Sequence, residues 1–104
     1  MTNKIIKFIQ TSIKNEIDGL SENLQDWVNI HLIEPRLIDL IIDLDTNRKG
    51  QFWLITDNIG VNDSSYRVVF DEKTNEFGLE CTLDDKREWF MGIYGNFSDT
   101  IKSM

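Results

Sequence analysis

The chain contains very little cysteine, histidine and proline. Of its 104 residues, one is cysteine (Cys81), one is histidine (His31) and one is proline (Pro35). A single cysteine excludes an internal disulfide and suits a reducing compartment, so we expect the protein in the cytoplasm. One histidine and one cysteine are too few for a tetrahedral nitrogen and sulfur metal site within the chain. We therefore expect no metal and no other cofactor.

Long apolar runs are also absent. No run approaches the roughly 20 residues that are needed to span a bilayer. The N-terminal segment is interrupted by Lys7, Gln10 and Lys14, so it lacks the continuous apolar core of a signal peptide. Aromatic residues make up 11% of the chain, which argues against disorder. The length of 104 residues suits a single domain, 1–104, and leaves little room for a second core.

Positive charge is scarce. The chain has 11 Lys and Arg residues against 18 Asp and Glu residues, which gives a net charge of −7 at pH 7. Such a surface repels phosphate groups, so binding to nucleic acids and to anionic membranes is disfavoured. A basic protein partner is favoured, because complementary potentials speed the encounter of two proteins. The alternative is that the charge serves only solubility.

Two helical patterns stand at the start of the chain. An apolar stripe with helical spacing runs along the first: Ile6, Ile9, Ile13 and Ile17. Gly19 is suited to end this helix, and Ser21 is suited to begin a second one as its N-cap. We expect the second helix to stop at Pro35, because proline disfavours helical geometry at the residue before it.

Residues 36–45 fit both a helix and a strand. We favour a strand, because the run is short, rich in isoleucine, and followed by the polar segment 46–50 and a second apolar run. Further strands are predicted at 51–57, 66–71, 76–83 and 87–94, and Ser98 is suited to cap a short C-terminal helix. The predicted fold is α+β, with two N-terminal helices, a five-stranded antiparallel meander sheet and the short C-terminal helix, the helices covering one sheet face.

A calcium loop is the first functional pattern to test. Asp43, Asp45 and Asn47 match the first three ligand positions of an EF-hand loop. The match then fails, because Arg48 replaces the turn glycine and Leu54 replaces the bidentate glutamate. We conclude that the spacing is accidental.

Nucleophilic catalysis is weakly supported. Cys81 or a serine would need His31 as its base, and no G-x-S-x-G elbow surrounds any serine. Cys81 shares its predicted strand face with apolar residues, which favours a buried, unreactive thiol. We therefore expect no enzyme, with a Cys81-dependent enzyme as the alternative.

Acidic residues alternate along the first predicted strand. Asp39 and Asp43 are expected to project from the sheet face that the helices leave uncovered, where Trp53 could join them as an apolar anchor. An acidic face around a tryptophan is typical of a protein interface, while a solvated sheet face is the alternative. The complete set of candidate partner-binding residues adds an acidic rim and reads Asp39, Asp43, Asp45, Trp53, Glu80, Asp84 and Asp85.

Three segments, FWLITDN (52–58), FGLEC (77–81) and WFMGIYGNFSDTI (89–101), resemble parts of small acidic bacterial proteins. Some of these act as immunity partners in contact-dependent inhibition and other polymorphic toxin systems. The resemblance implies a cytoplasmic, non-enzymatic protein that binds a cognate toxin domain, often a basic nuclease, and blocks its active site. A small adaptor or ligand-binding domain that uses the 58–65 loop is the alternative function.

Overall fold

The apolar patterns of the chain form eight elements in a computed structural model, which describes residues 2–57 and 66–104 and, in the first helix, the side chains from Lys4 onward. The predicted 58–65 loop lies outside the described residues. The observed order of two helices, five strands and one helix confirms the α+β prediction. The elements are α1 (Thr2–Ile17), α2 (Glu22–His31), β1 (Leu32–Asp43), β2 (Arg48–Thr56), β3 (Tyr66–Asp71), β4 (Glu76–Thr82), β5 (Glu88–Gly95) and α3 (Phe97–Lys102).

The helices begin and end at local signals in the sequence. Ser21 is the N-cap of α2, and its side chain accepts a hydrogen bond from the backbone N–H of Leu24. The predicted stop of this helix at Pro35 is wrong, because α2 ends at His31 and Pro35 lies within β1. The pairing of β1 with β2 is irregular between Leu32 and Arg36, and proline is tolerated in strands at such positions. The predicted cap at Ser98 is also wrong, since Asn96 caps α3.

The run 36–45 forms a strand as far as Asp43, which confirms the favoured alternative. Each strand pairs with the next in antiparallel fashion from β1 to β5, as a meander does. A parallel pair, Ile41 with Trp89, then joins β1 to β5 and closes the sheet into a barrel. The prediction of a purely antiparallel meander is therefore wrong in one respect, since the sheet is mixed and closed.

Each face of the sheet buries its own apolar cluster. The helix-covered face packs against the helices, and its buried side chains include Trp53, Phe70 and Phe77 from the sheet with Phe97 from α3. The barrel interior holds the second cluster of buried apolar side chains: Leu40, Phe52, Leu54 and Val69. Both sides of β2 and β3 are thus covered, which explains their nearly continuous apolar sequences.

Gly78 lets β4 and β5 approach closely inside the barrel. A Cβ atom at this position would lie 2.3 Å from the carbonyl oxygen of Gly92 and 2.9 Å from the ring of Phe90. The space is used by Phe90, whose ring stacks on that of Phe52 with centroids 4.3 Å apart. Only glycine fits here without a shift of the backbone.

None of the helices in the described part of the chain is both long and apolar enough to cross a membrane.

Candidate partner-binding site

The outer surface of the β1–β2 hairpin carries Asp39, one of the two aspartates of the predicted acidic face. Register places six side chains together on it, and we call this set the hairpin face: Leu37, Asp39, Ile41, Lys49, Gln51 and Trp53. Leu37 is 46% exposed and Asp39 is exposed, whereas Ile41 is buried. Within the described residues, the side chain of Asp39 makes no hydrogen bond or ion pair.

The predicted orientation of Asp39 needs a correction. Leu37 lies directly opposite Trp53, and Trp53 packs in the cluster beneath the helices. Asp39 lies two residues after Leu37 on the same strand, so its side chain projects from the same face, which is the helix-covered one. Asp39 is exposed on this face, whereas Trp53 is buried.

One end of the hairpin face opens into a surface cavity of about 270 Å³, which we call the tryptophan cavity. Its lining consists of Leu37, Gln51, Trp53, Asp71, Glu72 and Lys73. The indole N–H of Trp53 donates a hydrogen bond of 3.0 Å to the carboxylate of Glu72, which fixes both groups. Trp53 is only 4% exposed, so the predicted anchor role of its ring is wrong and Leu37 provides the exposed apolar contact.

The other end meets the seam between β1 and β5. A second cavity of about 240 Å³, the seam cavity, is lined there by Asp39, Ile41, Lys49, Lys86, Arg87 and Glu88. The hairpin face thus runs between two cavities, each lined by both acidic and basic side chains. Such a surface can recognise a partner by the pattern of its charges as well as by their sum.

Four of the predicted aspartates lie in or beside two turns that Arg87 connects, and we call this set the turn cluster. The four aspartates are Asp43, Asp45, Asp84 and Asp85, and Arg87 links the turns. The guanidinium of Arg87 donates to the carboxylate of Asp85 at 2.7 Å and, across the seam, to the side-chain oxygen of Asn47 at 2.9 Å. The sequence placed these aspartates about forty residues apart, and the closure of the barrel brings their turns together.

Two carboxylates of the turn cluster are held by the backbone. Asp43 accepts a hydrogen bond from the N–H of Asp45, and this bond lowers the pKa of Asp43. Asp85 accepts one from the N–H of Arg87, which lowers the pKa of Asp85, and the side chain of Arg87 adds to the effect. Both groups therefore keep their negative charge at neutral pH in a fixed orientation.

Glu80 lies elsewhere, and its predicted place in the acidic rim is wrong. It is fully buried in the barrel interior, where one carboxylate oxygen accepts a hydrogen bond of 2.6 Å from Nε of Arg67. The other oxygen, Oε2, has no hydrogen-bond partner among the residues that the structure describes. Arg67 is buried as well, and its second contact is an ion pair with Glu88, whose side chain is 44% exposed.

Burial raises the pKa of Glu80, and the nearby charges of Glu88 and Asp57 act in the same direction, while Arg67 opposes them. For Arg67 itself burial is unfavourable, but its bonds and charge interactions with Glu80 and Glu88 raise its pKa overall. The three residues form a charge triad of one arginine and two glutamates, of which Arg67 and Glu80 are buried and Glu88 is partly exposed. The predicted strands 66–71 and 76–83 contain the signal for this pair, because antiparallel pairing outward from the residues between them puts Arg67 opposite Glu80.

The surroundings of Cys81 and His31, the alternative catalytic pair, do not favour a reactive thiolate. Burial raises the pKa of the Cys81 thiol, and the charge of Glu80 raises it further. The thiol form is therefore favoured over the nucleophilic thiolate. His31 packs with its ring centroid 4.8 Å from that of Trp27. Within the described residues, no group of three or more His, Cys, Asp or Glu side chains is arranged to hold a metal ion.

No protein-family profile, curated protein or solved structure matches this chain. The resemblance to immunity proteins therefore stays a prediction.

Proposed function

We propose that this protein is a non-enzymatic inhibitor that binds a basic protein, the cognate toxin domain of an immunity pair. Its contact surface is the hairpin face together with the turn cluster. In this assignment Leu37 is the apolar contact at the centre, and Asp39 pairs with a lysine or arginine of the toxin. The aspartates of the turn cluster form the acidic rim.

The observation that carries the proposal is the arrangement around Leu37. The exposed Leu37 lies directly opposite the buried Trp53, whose indole N–H holds the carboxylate of Glu72. On the same face, the carboxylate of Asp39 has no partner among the described residues. Apolar centres with polar rims are typical of protein interfaces. The carboxylates cost little entropy on binding where they are already held in place.

The overall charge of −7 supports a basic partner, because it speeds association. The surface is not uniformly acidic, however, since Lys49, Lys86 and Arg87 line the seam cavity beside Asp39 and Glu88. A partner that fits this surface carries both charge signs, with its basic groups opposite Asp39 and the turn cluster. Mixed patterns of this kind select one partner among many basic proteins.

The test uses the toxin domain encoded beside this gene and a matched pair of charge reversals. Asp39→Lys changes the proposed contact surface, while Asp26→Lys makes the same charge change at an exposed position of α2. We expect Asp39→Lys to weaken binding by on the order of 2–5 kcal/mol and to abolish protection of cells that express the toxin. Asp26→Lys should change only the association rate and its salt dependence.

The outcomes separate the contact surface from the function. Equal weakening by both variants would show that only the overall charge matters and that the hairpin face is not the interface. A toxin domain that neither binds the unmodified protein nor is neutralised by it contradicts the inhibitor function itself.

A further inference from the structure

The first two thirds of β1 form an open edge of the sheet. β2 pairs with one side of this strand, and among the described residues β5 pairs with the other side only at Ile41 with Trp89. Outside the strand pairs, the described residues supply no backbone hydrogen bond to positions 33–40. Pro35, which has no N–H group, lies within this stretch and is buried, whereas Arg36, Leu37 and Asp39 are exposed. In the described part of the chain, no strand pairs with the outward backbone groups of residues 36–39, so they can accept another strand.

An apolar groove runs beside this edge. The groove has a volume of about 240 Å³ and separates β1 from α1, and its lining residues are Gln10, Ile13, Lys14, Ile17, Leu32, Ile33 and Pro35. Ile13 is buried and Leu32 is 38% exposed, so apolar surface continues from the core to the solvent. Because Lys14 stands at the groove, a side chain that enters it is favoured when it is apolar and disfavoured when it is cationic.

The charged side chains of β1 determine which residues are favoured in a segment that binds beside it. Glu34 and Asp39 are exposed on β1, and Asp39 has no ion-pair partner in the described residues. Arg36, the only base on β1, already faces Asp57 at 3.7 Å. Lysine or arginine beside these carboxylates is therefore favoured.

We propose that the open edge of β1 binds an extended segment of a basic partner by strand addition. The segment alternates apolar residues, one of which enters the groove, with lysine or arginine residues beside Glu34 and Asp39. Edges with a side-chain pocket recognise peptides in this way, through backbone hydrogen bonds for affinity and alternate side chains for specificity. The inference rests on the proposed function, since it assigns the binding mode of the basic partner.

The test measures amide hydrogen exchange by NMR with a hexapeptide that alternates lysine and valine. The control peptide has the same side chains but is N-methylated at alternate residues, so that one edge can no longer donate hydrogen bonds. We expect the first peptide to slow the exchange of the outward amides of residues 36–40. The methylated peptide should bind at least about tenfold more weakly than the first peptide, because several backbone hydrogen bonds are lost.

Two protein variants locate the peptide. Leu32→Lys places an ammonium group at the groove, and Ile42→Lys makes the same change on the same strand at a residue that is also 38% exposed. Leu32→Lys should weaken peptide binding about tenfold, while Ile42→Lys should leave it unchanged. Equal effects of the two variants would place the peptide elsewhere and overturn the inference.

Failure of this inference is distinguishable from failure of the proposed function. If the hexapeptide does not bind, or binds without slowing the exchange of the β1 amides, strand addition is wrong, although Asp39→Lys can still abolish toxin binding. If the toxin domain does not bind but the hexapeptide protects the edge, the strand-addition site stands and the inhibitor function fails.

Discussion

The helix-covered face and the barrel interior are two sides of the same strands, but they are stabilised differently. Beneath the helices, Phe70, Phe77 and Phe97 form a row of edge-on aromatic contacts that links β3 and β4 to α3. Inside the barrel, Arg67 and Glu80 are buried beside the apolar cluster. The first region depends on the area that it removes from water, and the second depends on charges that must remain paired.

This comparison separates two kinds of sensitivity to mutation. An apolar cluster loses stability in proportion to the side chain that is removed, and the loss depends little on pH. A buried ion pair is costly to break but contributes little compared with apolar side chains of similar size. The predictions below test whether the two sides of the sheet differ in this way.

The largest effect is expected on the helix-covered face. Phe70→Ala removes a fully buried ring that contacts Phe77 with centroids 4.9 Å apart, and it should lower the free energy of unfolding by about 4 kcal/mol. Phe8→Ala is the matched control, since the ring of Phe8 touches that of Phe70 from outside and is 47% exposed. Urea denaturation of both variants measures the difference. Equal losses would show that Phe70 is not part of a rigid core.

A smaller loss of stability is expected in the barrel interior, and a second substitution should restore most of it. Arg67→Met leaves Glu80 buried without its partner, which should cost about 3 kcal/mol. Adding Glu80→Leu removes the unpaired carboxylate, so the double variant should recover to within about 1 kcal/mol of the unmodified protein. The same urea titration measures both. A double variant that is less stable than Arg67→Met would show that the charge triad stabilises the barrel outright.

Much of the fold could be predicted, because its signals are local. Short apolar runs bounded by polar segments predict β2 to β5, and Ser21 predicts the start of α2. Pro35 was misleading, because proline ends a helix in general but is also tolerated at an irregular strand edge, and only the tertiary structure decides between these. Closure of the barrel depends on the curvature of the whole sheet, and no short stretch of sequence encodes it.

The candidate site shows the same division. The sequence identifies the turn aspartates as candidate contact residues because they are acidic. It does not show that their two turns are neighbours, since this depends on the pairing of β1 with β5, where Arg87 donates a hydrogen bond to Asn47. Glu80 was placed on the surface because its charge was read without its register. Antiparallel pairing of the predicted strands 66–71 and 76–83 puts Glu80 opposite Arg67, and two opposite charges amid apolar neighbours indicate a buried pair.

The smallest effect concerns the unpaired oxygen of Glu80 and appears as a pH dependence. Burial raises the pKa of Glu80 above its usual value of 4.5, so the folded protein holds this proton at pH values where the unfolded chain has released it. The native state then binds more protons, and the stability that this group contributes falls as the pH rises through the folded pKa. Glu80→Gln cannot titrate and should lack this fall.

The measurement is a series of urea denaturations from about pH 4 to about pH 7. At neutral pH Glu80→Gln should cost only about 1 kcal/mol, because the amide oxygen still accepts the hydrogen bond from Arg67. Toward acid pH the unmodified protein should gain stability relative to the variant, whereas Glu34→Gln, at an exposed position, should run parallel to it. Parallel curves for Glu80→Gln would mean that Arg67 keeps Glu80 ionised despite its unpaired oxygen. Arg67 and Glu80 would then form an ion pair that stays charged over this pH range. The two sides of the sheet would differ in the residues that they bury, but the stability of neither would depend on the protonation of a buried group.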